Sequence, residues 1–590
     1  MKAKLYISVI LTTLLTTACV DLTEKMYDRI DAESFYQNEQ SIKSAISSIY
    51  NTAAYSYLEY FWYLNEFSAD QIAWRSWNGG GWGYDEGEKL VLSIHTWTPE
   101  AKIIRSAWER SWTTIGYCNQ LQHDLEGRDA NDLGLTDLKL KEYIAEIRTL
   151  RAWAYYNVFE AWGGVIPLNM TYTTELLGSA SDNFDEGCKI IFDAIVKELD
   201  ESVSDLPVED GSNKTRNRMN QAVNRMIKAR LLLNGEVFIK EAHYDECEAL
   251  CKQIINGDFG TYQLETDFRK IFAADNYASS EVIFAFPEEV GKLNTGWMRV
   301  MPFMPYNCWE YFGGTYDQDP WNCCCLVPSY DNSANILQNG NPKSFLSDQY
   351  GDRLGAVYER FSDKDIRKQN YIYDEKTGWN GGIFLRGAMK ANYGTGDALK
   401  ADADRDGQDL VYVDQVGTFQ NEAGHFLEVV QSPRWGETNS GIRLVKYPIY
   451  PEAIGIDFRD ADEVEFRLAE AYYMIAECEM RKGGNAATWV DQVRSRYFEG
   501  GIQEVNGFTV NTPEWMLSEW GKEFISEARR RRTDLRRFDK FTQGQWWFFG
   551  RTSEDGRSIP AQRDRKYEWF PLPQSAITVN PKLKQNPNYN

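Results

Sequence analysis

Apolar positions recur with a helical period in three long stretches of the chain. In "EYIAEIRTLRAWAYYNVFEAWGGVIPL", Ile147, Leu150, Ala154, Val158 and Ala161 step by three or four residues, and Tyr155, Phe159 and Trp162 form a second stripe beside them. Gly163–Gly164 supply a helix stop, and Pro167 prevents the helix from resuming. In "QAVNRMIKARLLLNGEVFIK" the stripe is Ala222, Met226, Ala229, Leu233 and Val237. In "DEVEFRLAEAYYMIAECEMRKGG" it is Val464, Leu468, Ala471, Ile475 and Cys478, closed by Gly483–Gly484.

Each of these helices mixes small residues with large aromatics and is apolar on more than one side. Helices stacked between neighbours look like this, and the alanine–aromatic spacing resembles tetratricopeptide repeats. The expected fold is mainly α: a tetratricopeptide-like scaffold of helical hairpins with long irregular loop insertions and a few short strands. The irregular stretches are 76–87, 296–330 and 372–460, rich in Gly, Asp and aromatics. Loops of that length in a compact domain usually carry function.

The amino terminus has a different pattern. Lys2 and Lys4 precede an apolar run from Leu5 to Leu15, too short for a bilayer that needs about 20 residues. Thr16, Thr17 and Ala18 then lead into Cys19. This spacing looks like a lipoprotein cleavage box, with residues 1–18 removed and Cys19 acylated. An ordinary signal peptide with an incidental cysteine is the plainer reading. The rest, 19–590, reads as one domain, with a helical part at about 19–240 and a part with insertions at about 270–590.

Charge narrows the partners. The 590 residues carry 64 basic and 87 acidic side chains, a net −23, which opposes nucleic-acid binding and a polybasic membrane patch. Aromatics make up 14%, with 20 Trp and 34 Tyr, an excess suited to flat apolar ligand faces. Nine cysteines besides Cys19 leave at least one unpaired, and the run Cys323–Cys325 suits neither zinc nor easy disulfides. No HExxH, GxSxG or Walker stretch is present, so no metalloprotease, serine hydrolase or nucleotide-dependent enzyme is supported.

Four segments, in order, resemble one family. They are "AEIRTLRAWAYYNVFEAWGGVIPL", "RLAEAYYMIAECEM" followed by "VDQVRSRY", "EFISEARRRRTDLRRFDKF", and the terminal "WFPLPQSAITVNPKLKQNPNY". With the lipobox cysteine they resemble the SusD/RagB outer-membrane nutrient-binding lipoproteins. Ala528 departs from the pattern, where the family more often has Gly. The resemblance implies a surface-exposed, lipid-anchored protein of the outer membrane that captures oligosaccharide or polysaccharide. It would hand the ligand to a SusC-type TonB-dependent transporter, and it would not be an enzyme. The loose box, with Thr16 at its −3 position, fits Bacteroidetes-type bacteria. A surface glycoside hydrolase and a RagB-like peptide binder are the competing readings.

Glycan recognition needs aromatic platforms and paired hydrogen bonds. "WRSWNGGGWGYDEG" offers Trp77, Asn78, Trp82 and Tyr84, and "NCWEYFGGTYDQDPW" offers Trp309, Tyr311 and Trp321. The plainer reading is that such rings pin long loops to the scaffold. As ligand platforms they are expected on one face, away from the "TDLRR" helix. "DADRDGQDLVYVD" places Asp402, Asp404, Asp406 and the carbonyl of Gln408 in the spacing of a calcium loop, but position twelve is Val413. A solvated acidic turn and a structural calcium both fit, and no cofactor is required. The basic cluster Arg529–Arg532 follows Glu519, Glu523 and Glu527 at helical spacing and reads as structural, held by pairs within one helix.

Overall fold

A computed structural model describes residues 35–74, 87–211, 215–289, 301–304, 308–313, 322–331, 333–347, 354–374, 376–401, 408–417, 419, 436–449, 461–552 and 558–589. Helix α1 (Glu39–Ser56) starts at a capping box, with the Ser41 amide donating to Asn38 Oδ1 at 3.0 Å. Helix α2 (Lys102–Leu125) packs on α1 and on α3 (Asp137–Trp162), and α3 packs on α4 (Phe184–Ser202). Helices α5 (Gln221–Leu233), α6 (Tyr244–Asn256), α7 (Leu468–Arg481) and α8 (Ala487–Arg494) continue the succession, each against the one before it. Thr136, Asn183 and Asn220 cap α3, α4 and α5 with side-chain oxygens. Such caps contribute about 1 kcal/mol each. This is the expected mainly helical, hairpin-stacked scaffold.

Glycine sets the closest approach in the stack. Gly163 ends α3 at φ +67°, as its position predicts. A Cβ on the next residue, Gly164, would lie 2.0 Å from the Phe184 carbonyl oxygen at the start of α4. Only a bare backbone lets the two helices meet there.

The second and third expected helices are shorter than their apolar stripes. Helix α5 ends at Asn234, whose side chain turns back to the Arg230 carbonyl at 2.8 Å, so Val237 belongs to a separate turn, Gly235–Ile239. Val464 is not helical. It lies in a strand, Glu463–Arg467, that pairs antiparallel with Val282–Phe286, and both strands are wholly buried. The helix begins at Leu468, directly after the strand. This sheet closes the long insertion at both ends, since residues 287–462 leave and re-enter the scaffold there.

The basic segment is structural, but not by pairing with the preceding glutamates along one helix. Helix α9 (Pro513–Glu523) ends, Ser526, Ala528 and Arg529 adopt positive φ, and α10 (Arg531–Arg537) begins. The arginines reach across the fold instead. Arg529 meets Glu465, Arg530 meets Glu470 at 2.8 Å, Arg531 meets Asp70 at 2.7 Å, Arg532 meets Glu160 at 2.5 Å and Arg537 meets Glu477 at 2.8 Å. Glu523 and Glu527 are taken by Arg467, at 2.8 and 2.5 Å. All are buried. Such pairs add little net stability over apolar packing, but losing one partner strands a buried charge, which costs about 3–5 kcal/mol.

The eight cysteines whose side chains are described are all buried, and none of them forms a disulfide with another. Among the described residues no helix is long and apolar enough to cross a membrane.

Candidate functional site

The expected sugar-contacting loops are best located by their roots. Helix α1 runs on through two π-type turns, Tyr57–Phe61 and Tyr63–Phe67, which are dense in aromatics. These deliver the chain to Asp70 and to strand β1 (Ile72–Trp74). Asp70 is buried and is gripped by Arg531 through Nε at 2.7 Å and Nη2 at 3.1 Å, while the Gly355 amide donates to it at 3.1 Å. Burial alone would raise this carboxyl, yet the guanidinium outweighs it and holds Asp70 below its usual range. Gln71 donates to the Gly521 carbonyl at 2.8 Å. Beyond Trp74, the ammonium of Lys89 lies 5.0 Å from the centre of the Trp74 ring, so the two ends of segment 75–86 stand together.

Strand β1 pairs antiparallel with Cys324–Leu326, Trp74 opposite Cys324. The second aromatic segment re-enters the fold at this strand. Its two ends also meet, with the Cys323 amide donating to the Pro302 carbonyl at 2.8 Å. The two Trp-rich segments therefore spring from adjacent, paired strands. Trp77, Asn78, Trp82, Tyr84 and Trp321, the Trp309 side chain, Cys19, and Asp402, Asp404 and Asp406 lie outside the described residues. The root of the first segment is tied to the "TDLRR" helix through Asp70 and Arg531.

Tyr311 is a correction. It is buried, its hydroxyl donates to the Tyr371 carbonyl at 2.7 Å, and its ring packs edge-on to Phe312 and Tyr393 at 5.2 and 5.8 Å. It is a packing ring and offers no open face to a sugar. Its neighbours include residues the sequence reading did not single out. Tyr373 and Tyr393 are half-buried with ring centres 6.0 Å apart, and the exposed Asn392 sits beside Gly313. Asn392 and Tyr393 both take left-handed backbone, at φ +50° and +55°. Two successive non-glycine residues there mark a strained turn of the kind found at ligand clamps. No motif in the sequence announces it.

The acidic turn closes on itself, with the Ala401 amide donating to the Gln408 carbonyl at 2.7 Å. That leaves the oxygen one lone pair for a cation. Among the described residues no group of three or more His, Cys, Asp or Glu side chains could hold a metal. A separate concavity of about 430 Å³ lies on α1 and α3, lined by Tyr50, Tyr143, Arg218 and Phe286. Its polar groups are largely spent on one another: Tyr50 on Glu146 at 2.9 Å, Tyr143 on Glu39 at 2.7 Å, Arg218 on Glu142 at 3.1 Å.

Residues 280–589 match the SusD family, and the chain belongs to that family, whose members are binding proteins and not enzymes. The starch-binding protein SusD of Bacteroides thetaiotaomicron is 24% identical over 552 residues, 89% of this chain and 84% of that one. Among solved structures, surface glycan-binding protein A from Bacteroides thetaiotaomicron in complex with laminarihexaose is 17% identical. It matches with a TM-score of 0.59 over 94% of this chain and 100% of its own. A laminarin-binding SusD-like protein, also 17% identical, matches with 0.62 over 94% and 100%. At such identities these structures establish the shared fold.

Proposed function

We propose that this chain is a surface glycan-binding lipoprotein that captures oligosaccharide or polysaccharide and delivers it to a SusC-type TonB-dependent transporter. The observation that carries the reading is the pairing of Trp74 with Cys324. It brings the roots of two Trp-rich segments side by side on a rigid floor, where rings from both can serve one extended ligand. Trp77, Trp82, Trp309 and Trp321 are the stacking platforms, with Asn78 and Tyr84 supplying hydrogen bonds. Tyr373, Asn392 and Tyr393, grouped beside Gly313 of the second segment, are further contacts for the ligand. Cys19 carries the lipid anchor that holds the protein at the outer membrane. Asp402, Asp404, Asp406 and the Gln408 carbonyl form a structural calcium turn with no part in binding.

The names of the relatives, starch in one, laminarin in another and laminarihexaose in a third, put α- and β-glucans first among ligands. The test is affinity electrophoresis and calorimetry of the soluble form lacking residues 1–19 against laminarin, starch and hemicelluloses. Retardation by at least one polymer is the expected outcome. Binding only to peptides would favour the RagB-like alternative.

A further inference from the structure

We propose that Arg443 is a positioning residue for the ligand face, acting through Asn322; the idea rests on the glycan-binding reading above. Arg443 is fully buried. Its Nη2 donates to Asn322 Oδ1 at 3.2 Å and to the Thr438 carbonyl at 2.9 Å. Its Nη1 donates to the Gly441 carbonyl at 2.7 Å and to the Ser440 carbonyl. The Tyr412 ring lies 4.6 Å from the guanidinium carbon. A guanidinium is a planar fork of fixed donors, so one partner cannot shift without spoiling the rest.

The partner it latches is the critical one. Asn322 directly follows Trp321, at the point where the aromatic segment rejoins the strand Cys324–Leu326. It is buried and sits at φ +47°, a left-handed conformation that Asn tolerates and most residues do not. Neighbouring contacts tie the same two stretches together. The Leu326 amide donates to the Ile442 carbonyl at 2.9 Å, and Gly441 has no room for a side chain against Cys325. The turn at 438–441 is itself braced by Ser440 Oγ, which receives the Gly417 and Glu437 amides, each at 3.0 Å. Arg443 thus fixes the root of the segment that carries Trp321 to a second, independently braced loop.

Asn322→Gly tests this without backbone strain, because glycine accepts the same φ while the latch oxygen is removed. Asn322→Asp keeps the oxygen and serves as the rescue. Amide hydrogen exchange at residues 323–327 and laminarin affinity are measured on the soluble full chain. Losing a hydrogen bond to a charged donor is expected to speed exchange there about tenfold and to weaken laminarin binding about tenfold. The urea midpoint should fall only modestly, by the loss of one buried hydrogen bond, and Asn322→Asp should restore exchange and affinity. Unchanged exchange in Asn322→Gly overturns the latch. Faster exchange with unchanged affinity overturns its role in positioning. A parent protein that binds no glycan sinks the glycan reading and the positioning role with it, while faster exchange would still establish the latch.

Discussion

Arg531 and Asp70 are 461 positions apart in the chain, and they share two charge-assisted hydrogen bonds at 2.7 and 3.1 Å inside the protein. Asp70 lies two residues before strand β1, so a helix near the carboxy terminus sets the height of a loop root near the amino terminus. Gly521 makes room for this contact, since a Cβ there would lie 2.9 Å from Arg531 Nη1 and equally close to Gln71 Nε2. The basic segment is in this chain bonded directly to the root of the first Trp-rich segment.

Ala528 adopts φ +53°, the left-handed region where glycine is at ease. The family pattern more often places Gly at this position, and the backbone gives the physical reason. Left-handed backbone costs an L-residue about 1–2 kcal/mol, partly offset by the greater freedom of glycine when unfolded. Ala528→Gly should therefore stabilise the protein by roughly 0.5–1 kcal/mol, read as a higher urea midpoint with an unchanged slope. A lower midpoint would show that the methyl group's packing outweighs the strain.

Gly441 has φ +75°, and a Cβ on it would fall 2.4 Å from Cys325 Sγ and 2.5 Å from Cys325 Cβ. Gly441→Ala should destabilise by about 3 kcal/mol, combining left-handed strain with overpacking. Adding Cys325→Gly should recover part of the loss, because the two positions touch. Strictly additive losses in the double variant would show that the clash is not the cause.

Glu66 is buried, and burial pushes its carboxyl up to about 7, against the opposing help of the Arg531 amide. The folded state therefore holds this proton more tightly than the unfolded chain does. The stability it lends is complete below about 4.5 and is lost as pH rises through about 7. A rise of about 2.5 pH units at 1.36 kcal/mol per unit puts the loss at roughly 3 kcal/mol. Urea midpoints of the parent should fall between pH 4.5 and 7.5, and Glu66→Gln should flatten that fall. A parallel decline in both proteins would place the titration elsewhere.

Period and punctuation made the scaffold legible in the sequence. Helix α3 and its stop at Gly163 follow from a clean helical stripe and a residue that tolerates positive φ. Val464 misled because a five-residue strand abuts a helix with no Gly or Pro between them. The alternation of Val464 and Phe466 is too short to stand out against the stripe that follows. The arginine segment was legible as structural but not in its partners, since Asp70, Glu160, Glu465, Glu470 and Glu477 are brought to it only by the fold. Tyr311 shows the same limit at the candidate site. An aromatic in a Gly-rich segment looks exposed until its hydroxyl finds a carbonyl 60 residues away.

The most direct test of the central claim is calorimetric titration of laminarin and starch into the soluble protein and into its Trp82→Ala/Trp309→Ala double variant. Reducing ends and oligosaccharide products are assayed after prolonged incubation. An exposed ring contributes about 1–2 kcal/mol to binding, so removing two should cost roughly thirty- to a thousand-fold in affinity. The account predicts that the parent binds at least one glucan, that the double variant loses detectable binding with its melting temperature nearly unchanged, and that neither protein shortens the polymer. Parent-like binding by the double variant, or release of oligosaccharides by the parent, would contradict it.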